Sequence, residues 1–343
     1  MQYYYGLDTL RAFMMILGIF IHGALFIGYA DVSYHSMHGS NEVISIIVYF
    51  FTLFRMECFF LLCGFLANMI INKKSTQYFI KNRKERILIP LISSLIIFWT
   101  IPNFILNQKI NFELQHLWFL LTLLILSAVT LSQRIRACFD QQNLSIKWLI
   151  FSFIAFSFNA ALLMLQTKLP LTHYTSTLYS YFVTSPVYYA IFYFLGYMLF
   201  NKDNITKINR YKIPTLIIAI IFSVLSIYLY KLKYIDQNFG FVAQLIKVYA
   251  DFICALAISL VLFTTMLLLN YSNKVFNFFK DSSLVIYVSH FSVILFLAPV
   301  VDRYTHSSTS FYFSLCLITL VICTLIYVFI KRVKFLHPLF GIK

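Results

Sequence analysis

An arginine and a histidine, Arg11 and His22, stand eleven positions apart in the first apolar stretch of this chain. On a helix, eleven steps of 100° come to 1100°, about 20° past three full turns. The two side chains therefore share one face and lie about 16 Å apart along the axis. An imidazole with an ordinary pKa near 6.5 can take or give a proton at working pH. A guanidinium presents a planar fork to phosphate or carboxylate. Together they suit a face that holds an anion at one end and moves a proton at the other. A second group is Arg55 and Glu57, in Phe54-Arg55-Met56-Glu57-Cys58. Residues two apart on a helix point in different directions, so each needs a partner on another element or lines water. Glu113, His116 and Trp118 bring a carboxylate, an imidazole and an indole close together in sequence, a combination able to hold a sugar. His290 and Asp251 complete the set.

Each of these has a structural alternative. Arg11 could be an interfacial anchor paired with Asp8, and His22 or His290 a buried imidazole bonded to a neighbouring helix. Arg55 and Glu57 could make interhelix ion pairs. His116 and Trp118 could belong to an aromatic belt, and Asp251 could cap a neighbouring helix.

The elements that must position these groups are apolar helices. The chain has 343 residues, 61% of them hydrophobic and only 11% charged, with a mean hydropathy of +0.81. A soluble domain carries about 25% charged residues, so this chain cannot cover a water-facing surface with ionised groups. With 38 Phe and only 9 Gly, it is neither disordered nor collagen-like. Windows of about 19 residues give ten candidate spans, near 10–29, 43–71, 87–106, 114–131, 147–165, 181–200, 213–230, 244–270, 283–301 and 310–330. The expected fold is an all-α polytopic membrane bundle of about ten helices, forming a single domain over residues 1–343. The second and eighth runs exceed the roughly 20 residues that a span needs, so a tilt, a break or a re-entrant piece is expected there. The first run has no basic segment ahead of it and reads as a retained helix, not a signal peptide.

Charge sets the orientation. The even connections and the C-terminal tail hold 19 Lys and Arg, and the odd connections hold 5. Such an excess places both termini in the cytoplasm. The net charge of +15 is thus topogenic, and no basic stretch has the form of a nucleic-acid module. The six cysteines form no CxxC pair, which argues against a zinc site or a disulfide framework. No metal is expected. No nucleophile elbow, P-loop or dinucleotide fingerprint is present.

These residues resemble the acyltransferase-3 family of integral-membrane acyltransferases, which is marked by an Arg and a His with ten residues between them in the first helix. Here the mark is Leu7-Asp8-Thr9-Leu10-Arg11-Ala12 followed by Leu17-Gly18 and His22. Further matches are Phe54-Arg55-Met56 with Phe59-Phe60 and Gly64-Phe65, and Arg83-Lys84-Glu85-Arg86 leading to Ile89-Pro90. His116-Leu117-Trp118-Phe119-Leu120, and Ser283 to Tyr287 with His290, complete the pattern. It looks most like the subgroup of periplasmic-glucan succinyltransferases. Two positions depart from it. Cys63 stands where the family commonly has Ser, and Glu57 where the subgroup usually has a neutral residue.

The resemblance implies transfer of an acyl group, acetyl or succinyl, from cytoplasmic acyl-CoA to a hydroxyl of a cell-envelope glycan beyond the inner membrane. Acyl-CoA would be a co-substrate, with no permanently bound cofactor; membrane lipid and the glycan are the other expected partners, and nucleic acid is not. His22 is the expected general base, with a transient acyl-histidine as the other route. Arg11, Lys81, Arg83 and Arg86 are the expected holders of CoA phosphates. Arg55, Glu57, Glu113, His116, Trp118, Asp251 and His290 are expected to contact substrate. An alternative is a proton-coupled transporter or flippase for a glycan or organic anion, in which the same histidines relay protons.

Overall fold

The structure is a computed structural model that describes residues 4–28, 35–100, 114–140, 145–235, 239–269 and 273–342. Within them the chain is helical, with no strand. In lipid there is no water to satisfy backbone N–H and C=O groups, so apolar segments close their hydrogen bonds internally as helices. The helices are α1 (Tyr5–Gly23), α2 (Glu42–Thr52), α3 (Arg55–Lys73), α4 (Thr76–Arg83), α5 (Ile89–Ser94), α6 (Trp118–Val129), α7 (Gln133–Asp140) and α8 (Ile146–Lys168). They continue with α9 (His173–Tyr179), α10 (Ser185–Met198), α11 (Lys202–Arg210), α12 (Lys212–Tyr234), α13 (Phe241–Leu268), α14 (Lys274–Tyr304) and α15 (Ser308–Arg332).

Among the described residues, seven segments are long and apolar enough to cross a membrane, or up to nine if two bent pairs each count as one. The bends have a compositional cause. α6 turns by 92° into α7, and α10 by 106° into α11, where Gln133-Arg134 and Lys202-Asp203 would be costly in hydrocarbon. The third expected span, 87–106, is helical through Thr100, and its remainder lies outside the described residues. The second expected span is interrupted at Leu53-Phe54, so that Arg55 opens α3. The eighth is an unbroken 28-residue helix, α13.

The chain divides into two compact units. The first comprises Met1–Cys58, Tyr211–His337 and Ile342. In it α1 packs along α14 and also meets α13 and α15, while α12 pairs with α13. Ile19, Phe26, Ile44, Ile286, Ile294, Phe311 and Leu315 form part of its core. Local caps start its helices. Asn41 accepts the Ile44 amide at the start of α2, and Ser307 and Ser310 form a capping box on α15. The most apolar window of α14 is 61% buried and that of α12 only 22%, so most of the α12 surface is left uncovered by the described residues.

The second unit comprises Phe59–Arg210 and Pro338–Gly341. Its centre is α10, whose Phe192, Tyr193, Leu195 and Tyr197 are fully buried. α10 crosses α3 at two glycines. A Cβ on Gly64 would fall 1.8 Å from the Tyr193 carbonyl oxygen, and one on Gly196 would fall 1.8 Å from that of Leu61. Small residues of this kind let helix backbones touch, which substitutes for the hydrophobic drive that lipid removes. The tail segment Pro338–Phe340 lies against α5, where the Ser93 hydroxyl donates to the Leu339 carbonyl.

Candidate functional site

In the first unit, α1 carries Gly18 and, one turn later, His22. A Cβ at Gly18 would stand 3.1 Å from Nε2 of His290 and 3.2 Å from Nη1 of Arg55. Only a residue without a side chain leaves both groups this much room against α1. The His22 and His290 rings lie 5.2 Å apart, centroid to centroid, tilted by 42°. Phe291 meets the His22 ring edge-on at 5.1 Å. His290 has no exposed surface, and its Nδ1 is hydrogen-bonded to the Tyr287 carbonyl. Three residues widely separated in sequence thus converge on one turn of α1.

Arg55 and Glu57 are both buried, at 6% exposure each. The Arg55 Nη2 also lies 3.4 Å from the Met56 sulfur, and Glu57 is within electrostatic reach of Cys254 on α13. Removing a charge from water costs several kcal/mol even after relaxation, so a buried guanidinium that meets the Gly18 turn together with the His290 imidazole marks a site. Arg11, three turns before His22, is a partly exposed side chain whose Nη2 lies 3.4 Å from an Asp8 oxygen. This is the interfacial pair that the sequence offered as the alternative.

Asp251 belongs to a different cluster of the same unit. It accepts hydrogen bonds from Lys247 at 2.6 Å and from the Tyr49 hydroxyl at 2.7 Å, and Lys247 also donates to Tyr49 at 2.7 Å. The Tyr49 ring stacks on Tyr230 at 4.1 Å, so the cluster ties α2, α12 and α13 together. Sequence reasoning passed over Lys247, although its four-residue spacing from Asp251 on one helix was the available signal. It also passed over Asp302, which is wholly buried. Asp302 accepts from the Ser36 hydroxyl at 2.6 Å and the Met37 amide at 2.8 Å. No local pattern marks that contact.

In the second unit, Arg83 lays its guanidinium over the Phe79 ring at 4.6 Å. Its Nε and Nη2 are buried and have no hydrogen-bond partner among the described residues. Lys81 makes a loose surface pair with Glu85 at 3.9 Å, and Arg86 is exposed. His116 is buried at 6% exposure, on a short turn of 3-10 helix that leads into α6. The residue before it, Gln115, has φ 43, a left-handed conformation that costs energy in a non-glycine and gathers at functional sites. Trp118 packs 5.3 Å from Tyr189, which in turn stacks on Phe60 at 4.5 Å. Glu113 lies outside the described residues. All six cysteines are free thiols, and among the described residues no three His, Cys, Asp or Glu side chains are grouped to hold a metal.

No solved structure matches this chain. Similar curated proteins include the glucans biosynthesis protein C of Salmonella typhi, of Salmonella typhimurium and of Salmonella paratyphi B. Each is 23% identical over 373 aligned positions, covering 98% of this chain and 94% of the relative. The acyltransferase-3 profile, described as an acyltransferase domain, matches residues 4–328. A match of that extent takes in most of both units and every site residue described above, and on it the chain belongs to the acyltransferase-3 family as a multi-pass membrane acyltransferase.

Proposed function

We propose that this acyltransferase moves an acetyl or succinyl group from acyl-CoA to a hydroxyl of a cell-envelope glycan, with His22 as the general base. The observation that carries the reading is the meeting of His22, His290 and Arg55 on the Gly18 turn of α1. In the reaction the acceptor oxygen attacks the thioester carbonyl carbon while its proton passes to His22. The C–S bond then breaks, and the departing thiolate takes the proton back from the imidazolium. A base so placed contributes about 10²–10⁴-fold. Arg55 supplies N–H donors to the oxygen on which negative charge builds.

The phosphates of the donor are assigned to Arg83, supported by its two buried nitrogens, which have no hydrogen-bond partner among the described residues. Lys81, Arg86 and Arg11 supply further positive charge. A ring-stacked arginine holds its fork in place, which suits a bidentate grip on phosphate. The glycan acceptor is supported by the printed name of the relatives, glucans biosynthesis protein C. Trp118 with His116 offers an aromatic face and a polar group for a sugar. The excess of Lys and Arg on the even connections supports an inner-membrane location, with the donor on the cytoplasmic side and the acceptor beyond it.

Purified protein in nanodiscs, supplied with acetyl-CoA or succinyl-CoA and a glucan, should add the corresponding acyl mass to the glucan. His22→Ala at equal abundance should abolish the transfer. Turnover by that variant at the wild-type rate would remove His22 as the base, and failure of every acyl-CoA to label any glycan would remove the reading itself.

A further inference from the structure

In the second unit, Arg83 stands at a break in helical pitch. α4 ends at Arg83, and Lys84–Leu88 form a π-helical turn before α5 begins. Pro90, in the first turn of α5, has no N–H to give the Arg86 carbonyl, so an α-helical turn there would lack a bond. Turns of the π type are rare and gather at functional sites. Such a turn holds one residue more than the α-helical turn it replaces. Relaxing it would rotate α4 against α5 by about 100°, the angle of one residue. Arg83 would swing with α4, away from Tyr193 on α10, which it now reaches electrostatically.

The segment Pro338–Gly341 is seated on this turn. Gly341 has φ 63, a left-handed conformation that glycine adopts without strain. A Cβ there would stand 3.3 Å from both the Arg86 Cα and the Glu85 carbonyl oxygen, and 3.4 Å from Cγ of Pro90. Phe340 is 3% exposed, with its ring 5.9 Å from that of Phe98. The Leu339 carbonyl accepts from the Ser93 hydroxyl on α5. The contacts thus fall on the turn itself and on the helix beyond it. From this geometry we infer that Pro338–Gly341 is a positioning element for the acyl donor. It props the π-turn and so keeps the Arg83 fork aimed at the donor phosphates, without touching the donor itself. The two buried Arg83 nitrogens, Nε and Nη2, grip a phosphate only when they face it together, and a rotation of one residue would turn both away at once.

The inference rests on the assignment of donor phosphates to Arg83 and is tested apart from it. With purified protein in nanodiscs, three changes are compared: a chain ended at His337, Phe340→Ala and Gly341→Ala. Each should raise the KM for acyl-CoA about tenfold, the lower end for losing hydrogen bonds to a charged group, with kcat and the KM for glucan unchanged. Phe340→Leu, which refills the apolar site, should restore the wild-type KM. A purely structural role would reduce the amount of active protein, which lowers the apparent kcat and leaves KM alone. That pattern, or a wild-type KM in all three, would overturn the inference. In an Arg83→Ala background, Phe340→Ala should raise KM no further, because the segment acts through Arg83; a second tenfold rise there would also overturn it. If the shortened chain does not fold, Phe340→Ala and Phe340→Leu decide. A wild-type KM in Arg83→Ala would overturn the phosphate assignment and this inference together. A raised KM in Arg83→Ala, with indifference at Phe340 and Gly341, overturns this one alone.

Discussion

The α3–α10 crossing allows a stability prediction that is independent of the chemistry. Replacing Gly64 with Ala puts a methyl group 1.8 Å from the Tyr193 carbonyl oxygen, where real Cβ atoms do not come closer than 3.0 Å. The crossing must open by the difference, 3.0 − 1.8 = 1.2 Å. No side chain can swing aside, because the obstacle is backbone. The same crossing carries the hydrogen bond from the Asn68 amide to the Tyr197 carbonyl at 2.8 Å, which an opening of that size pulls beyond bonding range. Overpacking costs 1–3 kcal/mol and a lost hydrogen bond about 1 kcal/mol. The sum is about 3 kcal/mol, or roughly a hundredfold in the folding equilibrium. Gly196→Ala, against the Leu61 carbonyl, should cost a similar amount. Both methyl groups demand the same movement, so Gly64→Ala/Gly196→Ala should cost clearly less than the sum of the single changes. Denaturant titration in mild detergent measures all three. Gly240→Ala, which has nothing within 4 Å of its Cβ, is the neutral control. A Gly64→Ala protein as stable as wild type, or strictly additive costs in the double variant, would refute the reasoning.

Other outcomes follow from the same geometry. Gly18→Ala brings a methyl group to 3.1 and 3.2 Å from two side-chain tips, so they must retreat by a few tenths of an ångström. Stability should hold within about 1 kcal/mol, while kcat should fall about tenfold through misplacement of the reacting groups; an unchanged kcat would count against the site. Arg83→Lys keeps the charge but loses the fork and the stacking on Phe79, so the KM for acyl-CoA should rise nearly as far as in Arg83→Ala. Full rescue by Lys would contradict a bidentate grip. Lys247→Ala leaves Asp251 in a half-buried position without its cation and should cost about 3 kcal/mol, whereas Lys247→Met with Asp251→Leu should recover much of the loss; thermal melting distinguishes the two.

The amino-acid sequence determined what could be decided within one helix. Span positions follow from runs of apolar residues long enough to cross hydrocarbon, and the shared face of Arg11 and His22 follows from helical pitch alone. The Arg11–Asp8 pair follows from a spacing of three. The bends after α6 and α10 were visible as abrupt changes to charged sequence, although read only as span ends. Only the tertiary structure decided which helices meet. His290 reaches His22 because α14 packs along α1, and no periodicity in either helix names its neighbour. Gly18 is one apolar-run glycine among several until Arg55 and His290 are seen above it. Asp251, legible as a costly charge in a span, proved to be held by Lys247 and Tyr49. Hydropathy reports the medium in which a segment sits, uniformly around its axis. The partner across an interface is set by side-chain shape and by small residues such as Gly64 and Gly196, whose meaning depends on a backbone far away in sequence.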